Sequence, residues 1–276
     1  MTIMRPKLDR PAPGWKQDLP EPNDPPSITI QSSLLSNPPN HIDDIYLEIP
    51  RSTLRLRGLV MWLAVILMPF FLIAVYAFIG IVGNLQRFPF FITLASMVSV
   101  IVAFWSGVYF WRMDTAPPRD EPIRFNRARR KVYVYRFYHN WLRPFSLTAW
   151  YCRAEADNWD DLRAEACSIY GPMGSGGLIE TVTLAVVAPG TNTVLDRFHF
   201  AFGIQQGEMY WAMAQRFMQQ GPDSIPTFEY LPRDWNNEDV TLNLARYLAP
   251  KVKWPEDMDI ESRTAPSGDE IEELIA

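Results

Sequence analysis

The chain has 276 residues, a formal net charge of -5 and 48% hydrophobic residues, with two cysteines and three histidines. Cys152 and Cys167 lie 15 apart with no paired Cys or His at metal spacing, which excludes a zinc module and a disulfide framework. Much of the apolar content sits in two long runs instead of being spread over a soluble core, and the acidic balance argues against nucleic-acid binding.

Residues 1–44 include Pro6, Pro11, Pro13, Pro20, Pro22, Pro25 and Pro26 in the first 30 positions alone. So much proline with so few apolar groups predicts an extended or disordered arm, and the lack of an apolar core rules out a cleavable signal peptide. A juxtamembrane segment, 45–57, follows. Around its start, DDIYLEIP (Asp43 to Pro50) alternates Ile45, Leu47 and Ile49 with Tyr46 and Glu48. That pattern fits either a short strand joining the main domain or an amphipathic approach to a bilayer.

Residues 58–82 and 88–111 are apolar runs of 25 and 24 residues. At about 1.5 Å per residue each is roughly 36 Å long, enough to cross a hydrocarbon core of about 30 Å. Only Gly83 to Arg87 separates them, so they form a tight hairpin. Arg51, Arg55 and Arg57 precede the first, while Arg112, Arg119, Arg124, Arg127, Arg129, Arg130 and Lys131 follow the second. Basic flanks stay in the cytoplasm, so both termini are expected there, with both thiols free. Transport needs intramembrane ionisable groups, and these spans have none. Ala95, Ser99, Ala103 and Gly107 form a ridge of small residues, suited to close packing against the first span or against a second copy in a homodimer.

The domain expected over 120–250 opens with FNRARRKVYVYRF, Phe125 to Phe137. Its basic half places Arg124, Arg127, Arg129, Arg130 and Lys131 a few residues beyond the second span, where anionic head groups would meet them. Strands are expected over 123–126, 131–138, 146–154, 162–170, 178–187 and 193–202, divided by Gly- and Asn-containing turns. Helical periodicity then places Tyr210, Met213, Ala214, Phe217 and Met218 on one face of a helix over 207–221, and Val240, Leu244, Tyr247 and Leu248 on one face of another over 236–250. Trp211 sits about 100° around from Tyr210, which suits an outward contact with a protein partner. Strands first and helices last is an α+β layout. The final segment, 251–276, is acidic and expected to be a solvated tail.

No motif carries catalysis, metal or cofactor chemistry. GPMGSGG, Gly171 to Gly177, lacks the Lys-Ser/Thr ending of a phosphate loop and reads as a hairpin loop. Ser175 lacks the glycine two positions before it that a nucleophile elbow requires. His41, His139 and His199 are dispersed, and Asp160-Asp161 is a sequence pair that would be catalytic only if its environment split the two pKa values.

The order of two short-linked spans, IRFNRARRKVYVYRF, VLDRFHFAFG and WAMAQRFMQQGPDSIP is similar to a bacterial family of uncharacterised two-span membrane proteins, over roughly residues 45–230. Members are often encoded beside type VI secretion toxins. The resemblance implies a bacterial inner-membrane location and an immunity role, in which the domain binds and neutralises a cognate toxin. The plan also resembles membrane-anchored pleckstrin-homology-like proteins, which implies lipid reading as the alternative. Neither resemblance supplies catalytic or cofactor residues.

Overall fold

The computed structural model describes residues 5–26, 28–35, 37–51, 57–84, 86–171, 177–229, 234–238 and 243–268. Two antiparallel sheets carry the core. One is built from β2 (His41–Ile42), β3 (Tyr46–Ile49), β4 (Ile123–Asn126), β5 (Lys131–His139) and β6 (Trp150–Asn158), in that order. The other runs β1 (Trp15–Asp18), β7 (Leu162–Tyr170), β8 (Leu178–Val187), β9 (Val194–Phe202). Helix α3 (Ile204–Gln220) packs on the second sheet. The fold is α+β.

Between β3 and β4 the chain leaves as α1 (Leu59–Val82) and returns as α2 (Phe90–Thr115). Both helices are long and apolar enough to cross a membrane, and neither apolar window is buried within the fold. Yet β3 and β4 pair directly, from Tyr46 opposite Asn126 to Ile49 opposite Ile123. The helical hairpin is therefore an insertion between two neighbouring strands. A hydrogen-bonded ladder cannot span the hairpin, so the N-terminal arm and the C-terminal domain lie at the same end of it. DDIYLEIP is thereby resolved as a strand.

Period-two alternation sorts the first sheet. Leu47, Ile49, Ile123, Phe125, Val132 and Val134 enter the central core, while Glu48, Arg124, Asn126, Tyr133 and Tyr135 face the other way. That second face is also covered, because residues 252–265 cross it: Trp254 packs edge-on against Tyr135 at 5.4 Å and Ser262 in α5 (Glu256–Arg263) is fully buried.

Three expectations are corrected here. The proline-rich arm is folded: β1 pairs with β7, and Leu8, Ala12, Leu19, Ile30 and Leu35 are buried. Extended proline segments leave backbone carbonyls unpaired, and α3 supplies the donors. Trp211 donates to the Pro20 carbonyl at 2.8 Å, Gln215 to Glu21 at 2.6 Å and Gln219 to Pro22 at 3.1 Å. Consequently Trp211 does not face outward; it is 1% exposed, packed 5.0 Å from Trp159. Covered by the sheet on one side and the arm on the other, α3 is buried nearly all round, and Gly207 sits where a Cβ would fall 2.3 Å from Val182.

The described part of the acidic tail, residues 251–268, is likewise folded onto the domain, with α5 held on the first sheet. Of the helix expected over 236–250, the described residues are helical over α4 (Leu244–Leu248), capped by the Asn243 side chain accepting from the Arg246 backbone N–H at 3.1 Å. Val240, Ser175 and most of GPMGSGG lie outside the described residues.

Candidate functional site

The basic block is the natural place to begin, since its charge asks for a partner. Four of its five members find one within the chain. Arg124 is 5% exposed and donates to Glu48 at 2.5 Å, to Asp259 at 2.7 Å and to the Ser262 hydroxyl at 2.8 Å. Lys131 pairs with Glu261 at 2.7 Å. Arg129 donates to the carbonyls of Thr264 and Ala265 at 3.0 and 3.2 Å. Arg130 pairs with Asp160 at 2.5 Å, from a left-handed backbone at φ 50°. Arg127 is exposed beside Gly221. The reading of this block as a lipid-head-group contact is corrected for Arg124, Arg129 and Lys131, whose charge binds the acidic α5 and its flanks, while Arg130 pairs with Asp160 and Arg127 stays exposed. The block's position agrees, because Lys131 stands at the far end of nine-residue β5 from His139, about 26 Å away by strand rise, and it is the His139 end whose loop meets α2.

Where α5 crosses the sheet, a cleft of about 660 Å³ opens between β3, β4 and the segments 234–236 and 252–263. Tyr46, Trp235 and Trp254 line it with Glu48, Asp120, Arg124, Asp259 and Arg263. The guanidinium of Arg124 lies 4.4 Å from the Trp254 ring centre and that of Arg246 5.0 Å from Trp235, so the indoles are held in place by cations behind them. Asn236 clamps the far wall, accepting from the Val252 N–H at 2.7 Å and donating back to its carbonyl at 3.3 Å.

At the base, Asp120 is 2% exposed. It accepts from the Asn40 amide at 3.0 Å and from the backbone N–H groups of Glu121 and Arg51 at 2.8 and 3.2 Å. Burial pushes its carboxyl up to about 6, against which these donors act. The neighbouring Arg51 guanidinium donates to the carbonyls of Glu121, His199 and Tyr135, at 2.7, 2.6 and 2.6 Å, tying both sheets to the segment that leads into α1. Burial, with the Arg51 charge beside it, lowers His199 to about 4, so that histidine is neutral and structural. Cys152 and Cys167 are free thiols, raised by burial.

In the small-residue ridge, Ala103 and Gly107 are half-buried but Ala95 and Ser99 are exposed, and a Cβ on Gly107 would meet nothing within 4 Å. The ridge is therefore not, as a unit, the packing stripe between α1 and α2. Among the described residues no three His, Cys, Asp or Glu side chains group as metal ligands.

Of the cleft's lining, the sequence reading singles out Arg124, and for a different contact. Its residues come from four separated segments, and the one available signal was the complementary charge of the 124–131 block and the 256–261 segment.

A family model described as a family of unknown function (DUF6708) matches residues 100–266, from within α2 to just past α5. No curated protein and no solved structure matches.

Proposed function

This chain belongs to a family of unknown function (DUF6708), and from that premise we propose that it is a two-span bacterial inner-membrane protein whose folded domain binds a protein partner. The partner that suits it best is a type VI secretion toxin acting in the cytoplasm, with this chain as the immunity protein that neutralises it. The cleft carries the reading. Fixed indoles flanked by charges of both signs on a rigid two-sheet body are what recognition of a protein segment requires, since buried aromatic anchors and arginines dominate binding energy. Both termini lie in the cytoplasm in this reading, on the strength of the arginines flanking the spans.

Expressing the toxin encoded beside this gene, with and without the chain, tests it. Survival that depends on the chain, and is lost on Trp254→Ala with the protein still present in membranes, supports the proposal; unchanged survival ends it.

A second reading, a membrane-surface scaffold that binds lipid head groups, draws on the run of four strands β3 to β6, three strands β7 to β9 and a closing α3, an order similar to pleckstrin-homology-like domains. Salt-sensitive binding to anionic vesicles by a chain reconstituted in neutral nanodiscs would favour it over the toxin.

A further inference from the structure

The loop between β5 and β6, residues 140–149, reads NWLRPFSLTA, and its large apolar side chains are not folded inward. Trp141 is 57% exposed, Leu142 63%, Phe145 54% and Leu147 87%. The loop lies against α2. Phe145 stacks on Phe104 at 5.5 Å, and Trp141 meets Trp105 edge-on at 6.2 Å. Arg112 fixes the approach, donating to the carbonyls of Pro144 and Ser146 at 2.6 and 2.7 Å while its guanidinium covers Trp150 at 4.7 Å. The loop is thus a braced structure, with Trp150 Nε1 donating back to the Arg143 carbonyl at 3.1 Å.

Depth follows from helix rise. Arg112 is the first charge in α2, and Phe104 and Trp105 lie eight and seven residues before it, roughly 10–12 Å along the axis. A loop that touches those two residues is carried into the same layer as the span it touches.

We propose that the β5–β6 loop is a third membrane-inserted element, seated in the lipid interface beside α2, with Trp141, Leu142, Phe145 and Leu147 in the acyl boundary. Indoles and arginines at one level are the side chains that favour the boundary between hydrocarbon and head groups, and burial of about 5–10 Å is typical of elements that lie in it. The occupant of this apolar surface is the bilayer, because the surface is continuous with that of α1 and α2. The domain is then held at the loop as well as at the base of the hairpin, which fixes its orientation to the membrane.

The inference rests on reading α1 and α2 as spans, and the test separates the two. The full chain is placed in nanodiscs of phosphatidylcholine, with or without bromine on the upper acyl chain. Trp141 emission is taken as the difference between wild type and Trp141→Phe, and Trp62 emission, from the exposed face of α1, by the same difference with Trp62→Phe. Both differences should fall about twofold or more in brominated lipid, as befits interfacial indoles. Trp62 quenched with Trp141 unaffected and red-shifted overturns the loop proposal and leaves the spans standing. Neither quenched overturns the spans as well. Leu147→Trp in the Trp141→Phe background gives a second reporter, which must also be quenched.

Discussion

The carboxylate of Asp114, in the last turn of α2, accepts the backbone N–H of Met61, in the first turn of α1, at 2.7 Å, and that of Gly58 at 3.1 Å. The returning helix therefore caps the departing one, and its negative charge lies at the positive end of the α1 dipole. Arg57, lowered to about 10 by burial, donates to the Asp114 carbonyl at 3.0 Å and to the carbonyls of Pro117 and Pro118. Asn243, just before α4, donates to the Arg57 carbonyl at 2.7 Å. The hairpin is locked to the domain at its base.

Asp114→Ala should lower stability by about 1–2 kcal/mol, because two N-terminal amides lose their acceptor inside a buried junction. Asp114→Asn keeps an acceptor oxygen and should lose less. Thermal unfolding in detergent ranks them; equal losses for both variants would mean the cap is not what holds the junction.

Trp211→Ala should cost about 3–5 kcal/mol, the range for emptying a large aromatic site in a core. Trp211→Phe should cost less but still lose the bond to Pro20. Urea unfolding measures both. A near-neutral Trp211→Ala would return this residue to the surface and undo the packed arm.

Within the basic block, position and not charge should set the effect. Arg124→Ala leaves Glu48 and Asp259 without their buried partner and should cost about 3–5 kcal/mol. Lys131→Ala breaks a pair whose members are 41% and 32% exposed, and should cost at most about 1 kcal/mol. Limited proteolysis then distinguishes the consequence: cleavage near residue 255 should accelerate in Arg124→Ala far more than in Lys131→Ala.

Two buried groups oppose each other in pH. Asp120 is raised from 3.8 to about 6, so the folded state holds its proton more tightly; its contribution is fullest below pH 4 and declines as pH climbs to 6, by on the order of 3 kcal/mol. His199 is lowered from 6.5 to about 4, so unfolding takes up a proton between those values, and stability grows with pH by a similar amount. Asp157, half-buried and also raised to about 6, adds to the first slope. Relative to wild type, Asp120→Asn should therefore tilt stability upward with pH between about 4 and 6, and His199→Gln should tilt it downward over the same range, with Asp157 opposing the climb in the first variant. Chemical denaturation across that range reads the slopes, and parallel curves for both variants would contradict the assignments.

Strands expected over 123–126, 162–170 and 178–187 have those same bounds in the fold, and the two apolar runs are helices. These elements were legible because their signals are local: alternation with a period of two, unbroken apolarity, and turn residues between. The expected strand over 146–154 begins instead at Trp150 and runs to Asn158, since Arg112 of α2 claims the carbonyls of Pro144 and Ser146 for the loop.

By itself the sequence determined the two apolar helices, the strand-then-helix order and the amphipathic face of α3, each written in the spacing of neighbouring residues. Only the tertiary structure decided what the polar and proline-rich segments do. Proline in the arm and acid in the tail each describe a soluble, unstructured chain when taken alone. The arm's free carbonyls are met by Trp211, Gln215 and Gln219, and the tail's Asp259 and Glu261 by Arg124 and Lys131, across more than a hundred residues of chain. Complementarity at that separation depends on which surfaces the sheets bring together, and no local pattern encodes it.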